Sequence, residues 1–199
     1  MNYLAHLHIA DHCKSNLLGN LLGDFVKGSP EGRYNKDIVD GIKLHRFVDS
    51  YTDTHHLVKS LKPLFPSELR RYSPIALDMF WDHCLANRWE EHHSQSLQQF
   101  CSHSEQLVKL NQPSTLPSRF VTMSSHMWEG RWMESYADLE NIQFALSRMA
   151  MRRPKLEKLS QCSQVLAQQY DPLIEAFDTL YPDVLAQSKQ FFHRLMIKS

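Results

Sequence analysis

Histidine and aspartate recur at helical spacing in this chain, and that mixture of donor types points to a hard divalent cation held between helices. His45, Asp49 and Asp53 stand at i, i+4 and i+8, a spacing that projects all three from one side of a helix. Asp78 and Asp82 repeat the i, i+4 step beside Phe80 and Trp81, and His83 follows Asp82 directly. His6 and Asp24 lie upstream, Asp24 inside an otherwise apolar stretch between Gly23 and Phe25. A carboxylate on a buried face is costly unless it is paired or holds a metal. Carboxylates, imidazoles and water together suit manganese or magnesium. Plainer readings stand beside each group. His45 to Asp53 also reads as an exposed polar stripe next to Lys43 and Arg46. Asp78 and Asp82 also read as a helix cap or an ordinary salt bridge with Arg70 or Arg71, and Asp24 as a satisfied polar group. His6 and His8, two residues apart, face different sides of a helix, so at most one meets a core site. The doublets His55-His56 and His92-His93 read as surface.

A second feature is basic. Residues 148–158 hold Arg148, Arg152, Arg153, Lys155 and Lys158 against Glu157 alone, a local charge of +4 from five bases and one acid. Such a run is either a solvated helix end or a dock for an acidic partner or a phosphate, where arginine makes bidentate contacts. Phosphate-binding loops, dinucleotide fingerprints, nucleophile elbows and His-Glu-x-x-His motifs are all missing from the sequence.

The elements that must position these residues read as helices throughout. Apolar residues return at three- and four-residue intervals, and six glycines in 199 residues with few β-branched runs disfavour a sheet. The pattern predicts helices over 3–12, over 15–27 with Ser15 or Asn16 as N-cap, and from Asp37 to about Leu61. A further helix spans 67–92, kinked or divided at Pro74, followed by an amphipathic one over 95–111. Two or three shorter helices fill 118–151, Pro154 stands near a helix start, 155–170 continue as helix, and the last helix follows Pro182. The loops are 28–32 and 112–117. The fold expected is an all-α, single-domain helical bundle over residues 1–199, with 42% hydrophobic residues to build its core.

Lys plus Arg (22) equals Asp plus Glu (22), which argues against bulk nucleic-acid binding. Cys13, Cys84, Cys101 and Cys162 form no Cys-x-x-Cys pair, so free thiols in a reducing cytoplasm are expected. The sequence has neither a signal-peptide pattern at Met1 nor an apolar run long enough for a membrane span.

Taken in series, Asn2-x-Leu4-Ala5-His6, Gly19-Asn20-x-x-x-Asp24, His45-Arg46-x-x-Asp49-x-x-x-Asp53, Asp78-x-x-Trp81-Asp82-His83 and Arg152-Arg153-Pro154 resemble the acyl carrier protein phosphodiesterase family. The resemblance implies hydrolysis of the phosphodiester joining 4′-phosphopantetheine to a serine of acyl carrier protein. It implies a divalent metal, manganese before magnesium, and a distant relation to the all-helical HD phosphohydrolases. The adjacent His-Asp pair of that wider group is missing here, where the order is Asp82-His83 and Asp11-His12. On this footing His6, Asp24, His45, Asp82 and His83 form the pool of metal ligands. Asp49 and Asp78 orient the attacking water or support the ligands from behind. Arg46 meets the phosphate, and Arg152 and Arg153 meet the acidic carrier protein. Two rivals stay open: a metal phosphohydrolase for a nucleotide or other small phosphoester, and a non-catalytic helical adaptor for an acidic partner.

Overall fold

A computed structural model describes residues 1–197, and among them it contains eleven α-helices, several 3₁₀ turns and no strand. The all-α expectation is met. Helix α1 (Tyr3–His12) runs through the centre: Leu4 to Ala10 are buried without a break, so it shows no polar face at all in that stretch. Asn2 at its start makes no side-chain cap. The cap comes instead from Asp82, whose carboxylate accepts from the backbone N–H of Asn2 (3.2 Å), Leu4 (2.8 Å) and Ala5 (3.1 Å). A negative group at these unpaired amides also complements the helix dipole.

Helix α2 (Leu17–Leu22) begins at Asn16, whose side chain accepts from the Gly19 amide. It crosses α3 (Lys36–Thr54) at a glycine contact. A Cβ on Gly19 would lie 2.4 Å from the Ile38 carbonyl oxygen, and one on Gly41 would lie 2.7 Å from that of Asn16. This close backbone approach brings the turn after α2 beside the middle of α3. α3 ends where His55 turns extended (ψ 137°), and α4 (His56–Leu61) follows. Next come α5 (Ser73–Asn87), α6 (Leu97–Leu110) with its Ser96/Gln99 capping box, α7 (Ser118–Glu129) and α8 (Trp132–Ser135). The chain closes with α9 (Leu139–Arg152), α10 (Cys162–Gln168) and α11 (Tyr170–Ile197). α1 packs against α2, α3, α5 and α11.

Several expected boundaries change. The second helix stops at Leu22 rather than residue 27, because 23–25 form a turn. The long helix from Asp37 divides at His55. Pro74 neither kinks nor divides its helix; it sits in the first turn of α5, where its missing N–H leaves nothing unpaired. Residues 155–161 form 3₁₀ turns instead of α-helix. Pro182 lies inside the 28-residue α11 and does not precede it. There the packing of Leu173, Phe177, Leu180, Tyr181 and Val184 outweighs one lost hydrogen bond. All four cysteines are free and buried.

Candidate metal centre

His6, on α1, and His45, on α3, stack with ring centroids 3.8 Å apart and an interplanar angle of 19°. Asp49, one turn beyond His45, meets both: its Oδ1 lies 3.0 Å from His6 Nε2 and its Oδ2 3.0 Å from His45 Nε2. The i, i+4 spacing produces this bite directly. Among the described residues these three form the only group whose ligand atoms all lie within 4.8 Å of one another. Asp24, on the turn after α2, brings Oδ1 to 3.5 Å from His45 Nε2 and is 58% exposed, so the cluster opens to solvent on its side.

The electrostatics are tight. Burial, joined by the neighbouring His45 ring, holds the His6 imidazole below its ordinary value. Burial also pulls on His45, but Asp24 and Asp49 overcome it and lift the ring to about 9. Burial pushes Asp49 up, and the two imidazoles more than reverse it, leaving the carboxyl well below the usual range. Asp24 is lowered by its contact with His45. The two carboxylates thus stay ionised and hold the His45 ring in its charged form. His45 Nδ1 and Nε2 and His6 Nδ1 are buried and make no hydrogen bond among the described residues. His45 Nε2 thus lies 3.0 Å from Asp49 Oδ2, near a partner but outside hydrogen-bond geometry. Two imidazoles and two carboxylates fit a divalent first-row metal or magnesium.

Two residues in the ligand pool go elsewhere. Asp82 is fully buried, and its two oxygens serve the α1 amides described above. Burial raises its carboxyl to about 7 against the pull of those amides. His83 uses Nδ1 on the Tyr136 carbonyl and Nε2 on the Tyr170 hydroxyl, both at 2.9 Å. Neighbours on a helix point about 100° apart: Asp82 turns to the start of α1, and His83 turns away from it. Asp49 stands between the two imidazoles, one oxygen toward each. Asp78 binds the Met1 ammonium at 2.5 Å, and that ammonium lies 4.0 Å from Asp49. Arg46 donates one N–H to the Val26 carbonyl, which ties down the turn that presents Asp24. Asp53, Arg152 and Arg153 are exposed.

The two histidine doublets are not simply surface. His55 is held by Asp183 at 3.2 Å, with Tyr51 donating to the same carboxylate. His92 packs on Phe177 and Tyr181. His8 is also buried, away from the cluster, with Nδ1 2.6 Å from the Tyr181 hydroxyl. Two shallow clefts elsewhere, one beside Lys14 and Asp37, the other beside Cys101 and Trp128, include none of the cluster residues.

Three contributors escaped the sequence reading. Gly23 lets the His45 ring in: a Cβ there would fall 2.1 Å from its Cδ2. Tyr3, three residues before His6 and so on the same helix face, is half-buried. Its hydroxyl is raised to about 12 by burial first and then by Asp24, with Arg153 and Arg119 opposing. Arg119 begins α7, and the next residue, Phe120, packs edge-on against Phe25 at 5.5 Å, beside Asp24. The helical spacing of Tyr3 to His6 was the available signal; Arg119 had none.

Fold and site together describe a helical protein with one imidazole–carboxylate cluster whose donor set is consistent with a divalent cation. The chain belongs to the acyl carrier protein phosphodiesterase family, whose model matches residues 1–184. A relative from Yersinia pestis named acyl carrier protein phosphodiesterase is 44% identical over 190 residues, covering 95% of this chain and 98% of its own. Relatives of the same name from Pectobacterium atrosepticum and Klebsiella pneumoniae (strain 342) are 44% and 41% identical, covering 98% and 100% of their own lengths. No solved structure matches the chain.

Proposed function

We propose that this protein hydrolyses the phosphodiester linking 4′-phosphopantetheine to a serine of holo acyl carrier protein, releasing apo carrier and free 4′-phosphopantetheine. The observation that carries the reading is convergence: within a chain of this family, motif residues from three separate segments, His6, Asp24 and the pair His45 and Asp49, meet at one solvent-open cluster. These four residues would hold a divalent cation, manganese before magnesium. When bound, such an ion polarises a phosphoryl oxygen and lowers the pKa of a water.

The chain's own groups supply the rest. Asp78 and the Met1 ammonium fix the approach of Asp49 from behind. Tyr3 keeps its proton at neutral pH, which suits it to donate to a phosphate oxygen. Arg153 and Arg119 act on the same hydroxyl and offset phosphate charge, and Arg152 extends the basic surface toward the carrier. The Asp82 carboxylate positions His6 by fixing where α1 begins. No helix is long and apolar enough to cross a membrane; four free thiols fit a reducing cytoplasm as the place of reaction.

Intact-mass analysis of holo carrier protein incubated with this protein, with manganese and with chelator, tests the reading. Loss of the phosphopantetheine mass with metal alone is the expected result. An intact holo carrier under both conditions, with folded protein, refutes it.

A further inference from the structure

Helix α9 presents an unusual outer face. Ile142 and Leu146 point into the core, fully buried. On the opposite side, within about 100° of arc at 100° per residue, stand Phe144, Arg148, Met151 and Arg152, all exposed. Phe144 is 64% and Met151 80% exposed, although an isolated helix gains nothing from placing large apolar groups in water. The Arg148 guanidinium lies 5.8 Å from the centre of the Phe144 ring, so charge and apolar surface form one patch. Among the described residues the ion pairs made by Lys and Arg involve Lys36, Lys43, Arg88, Lys109 and Arg131, none of them in this patch. Glu140 stands one turn before Phe144 on this side, which leaves the positive charge concentrated toward the C-terminal end. That end leads to the candidate centre: Arg153, the next residue, acts on the Tyr3 hydroxyl, which also feels Asp24.

We infer that the outer face of α9, with Phe144 and Met151 as apolar anchors between Arg148 and Arg152, is the docking surface for the acidic carrier protein. The inference rests on the reading above, and it deepens it by naming the surface that orients the macromolecular substrate. The occupant is a segment rich in Asp and Glu with apolar side chains of its own, because the patch offers both halves of that complementarity. Buried apolar anchors carry the affinity, while the arginines steer encounter and fix register.

Steady-state kinetics on holo carrier protein with Phe144→Asp and Met151→Asp test it, with Leu110→Asp, an 80% exposed apolar site on α6, as control. Each α9 variant raises KM roughly 10-fold or more, the scale of losing an interface anchor. Its kcat stays near wild type and its melting temperature does not move, since neither side chain supports the core. The control keeps the wild-type KM. An active wild type whose two α9 variants keep the wild-type KM overturns the docking face alone. A wild-type protein that leaves holo carrier intact removes the reading beneath it.

Discussion

Gly23→Ala isolates the packing that seats His45. The backbone at Gly23 is ordinary helix, φ −50° and ψ −42°, so alanine by itself stabilises the fold by about 0.5–1 kcal/mol through a less flexible unfolded chain. The added Cβ would fall 2.1 Å from His45 Cδ2 and 2.2 Å from Cγ, where no real contact exists, so the ring must move. The ring is also stacked on His6, which restricts its adjustment. Overpacking of this kind costs about 1–3 kcal/mol. The net loss is roughly 1–2 kcal/mol, a fall of roughly 2–8 °C in melting temperature at this chain length. His45 is displaced with it, so the rise in melting temperature on adding manganese, which for the wild type corresponds to about 2.7 kcal/mol at 100 times Kd, shrinks sharply. Differential scanning fluorimetry with and without manganese reads both effects, and intact-mass turnover reads activity. Gly23→Ala combined with His45→Ala recovers the backbone gain, because the three atoms nearest the added Cβ all belong to the His45 ring. A single variant that is more stable than wild type and fully active would mean that Gly23 and His45 are not in contact.

Three further outcomes follow from the same geometry. Asp49→Asn takes the charge that two imidazoles share and should abolish both turnover and stabilisation by manganese; retention of either in a scanning-fluorimetry titration counts against the cluster. Asp82→Ala leaves three amides at the start of α1 without their acceptor and should destabilise the protein by roughly 2–4 kcal/mol in urea denaturation, and a loss under about 0.5 kcal/mol would remove the capping role. His8, held down to about 4 chiefly by burial, lies below its unfolded value of about 6.5, so the unfolded chain takes up the proton first as pH falls. Its contribution is complete above about pH 6.5 and drains away toward pH 4; His8→Gln should therefore remove about 2 kcal/mol of the stability difference between pH 7.5 and about pH 5 in urea titrations, and an unchanged pH slope would contradict it.

Much of the arrangement was legible before the fold was known, and the failures share a cause. Asn16 announced α2 because a side-chain cap is local chemistry, read from neighbours in sequence. The His45–Asp49 bite was equally local, set by one helical turn. His6 and Asp24 were found by residue type, as polar groups in apolar stretches. Asp82 and His83 stand apart from the cluster for a reason that sequence spacing does not carry: which side of α5 faces α1 depends on packing that no window of α5 encodes. Pro182 misled in the same way, since the apolar face of α11 decides the helix against the local preference of proline. Arg119 was invisible because tertiary packing, seen in the Phe25–Phe120 contact, brings α7 beside Asp24.

The carboxylate at the head of α1 also sets an order of events during synthesis. Its acceptors reach back 80, 78 and 77 residues to Asn2, Leu4 and Ala5. Helix α1 is thus made several seconds before the residue that completes its start, at roughly 5–20 residues per second. Until α5 arrives, this helix, buried from Leu4 to Ala10 in the finished fold, waits with its leading amides in water and its two buried histidines unhoused. Nascent chains halted before residue 82 should then be the ones that chaperones hold.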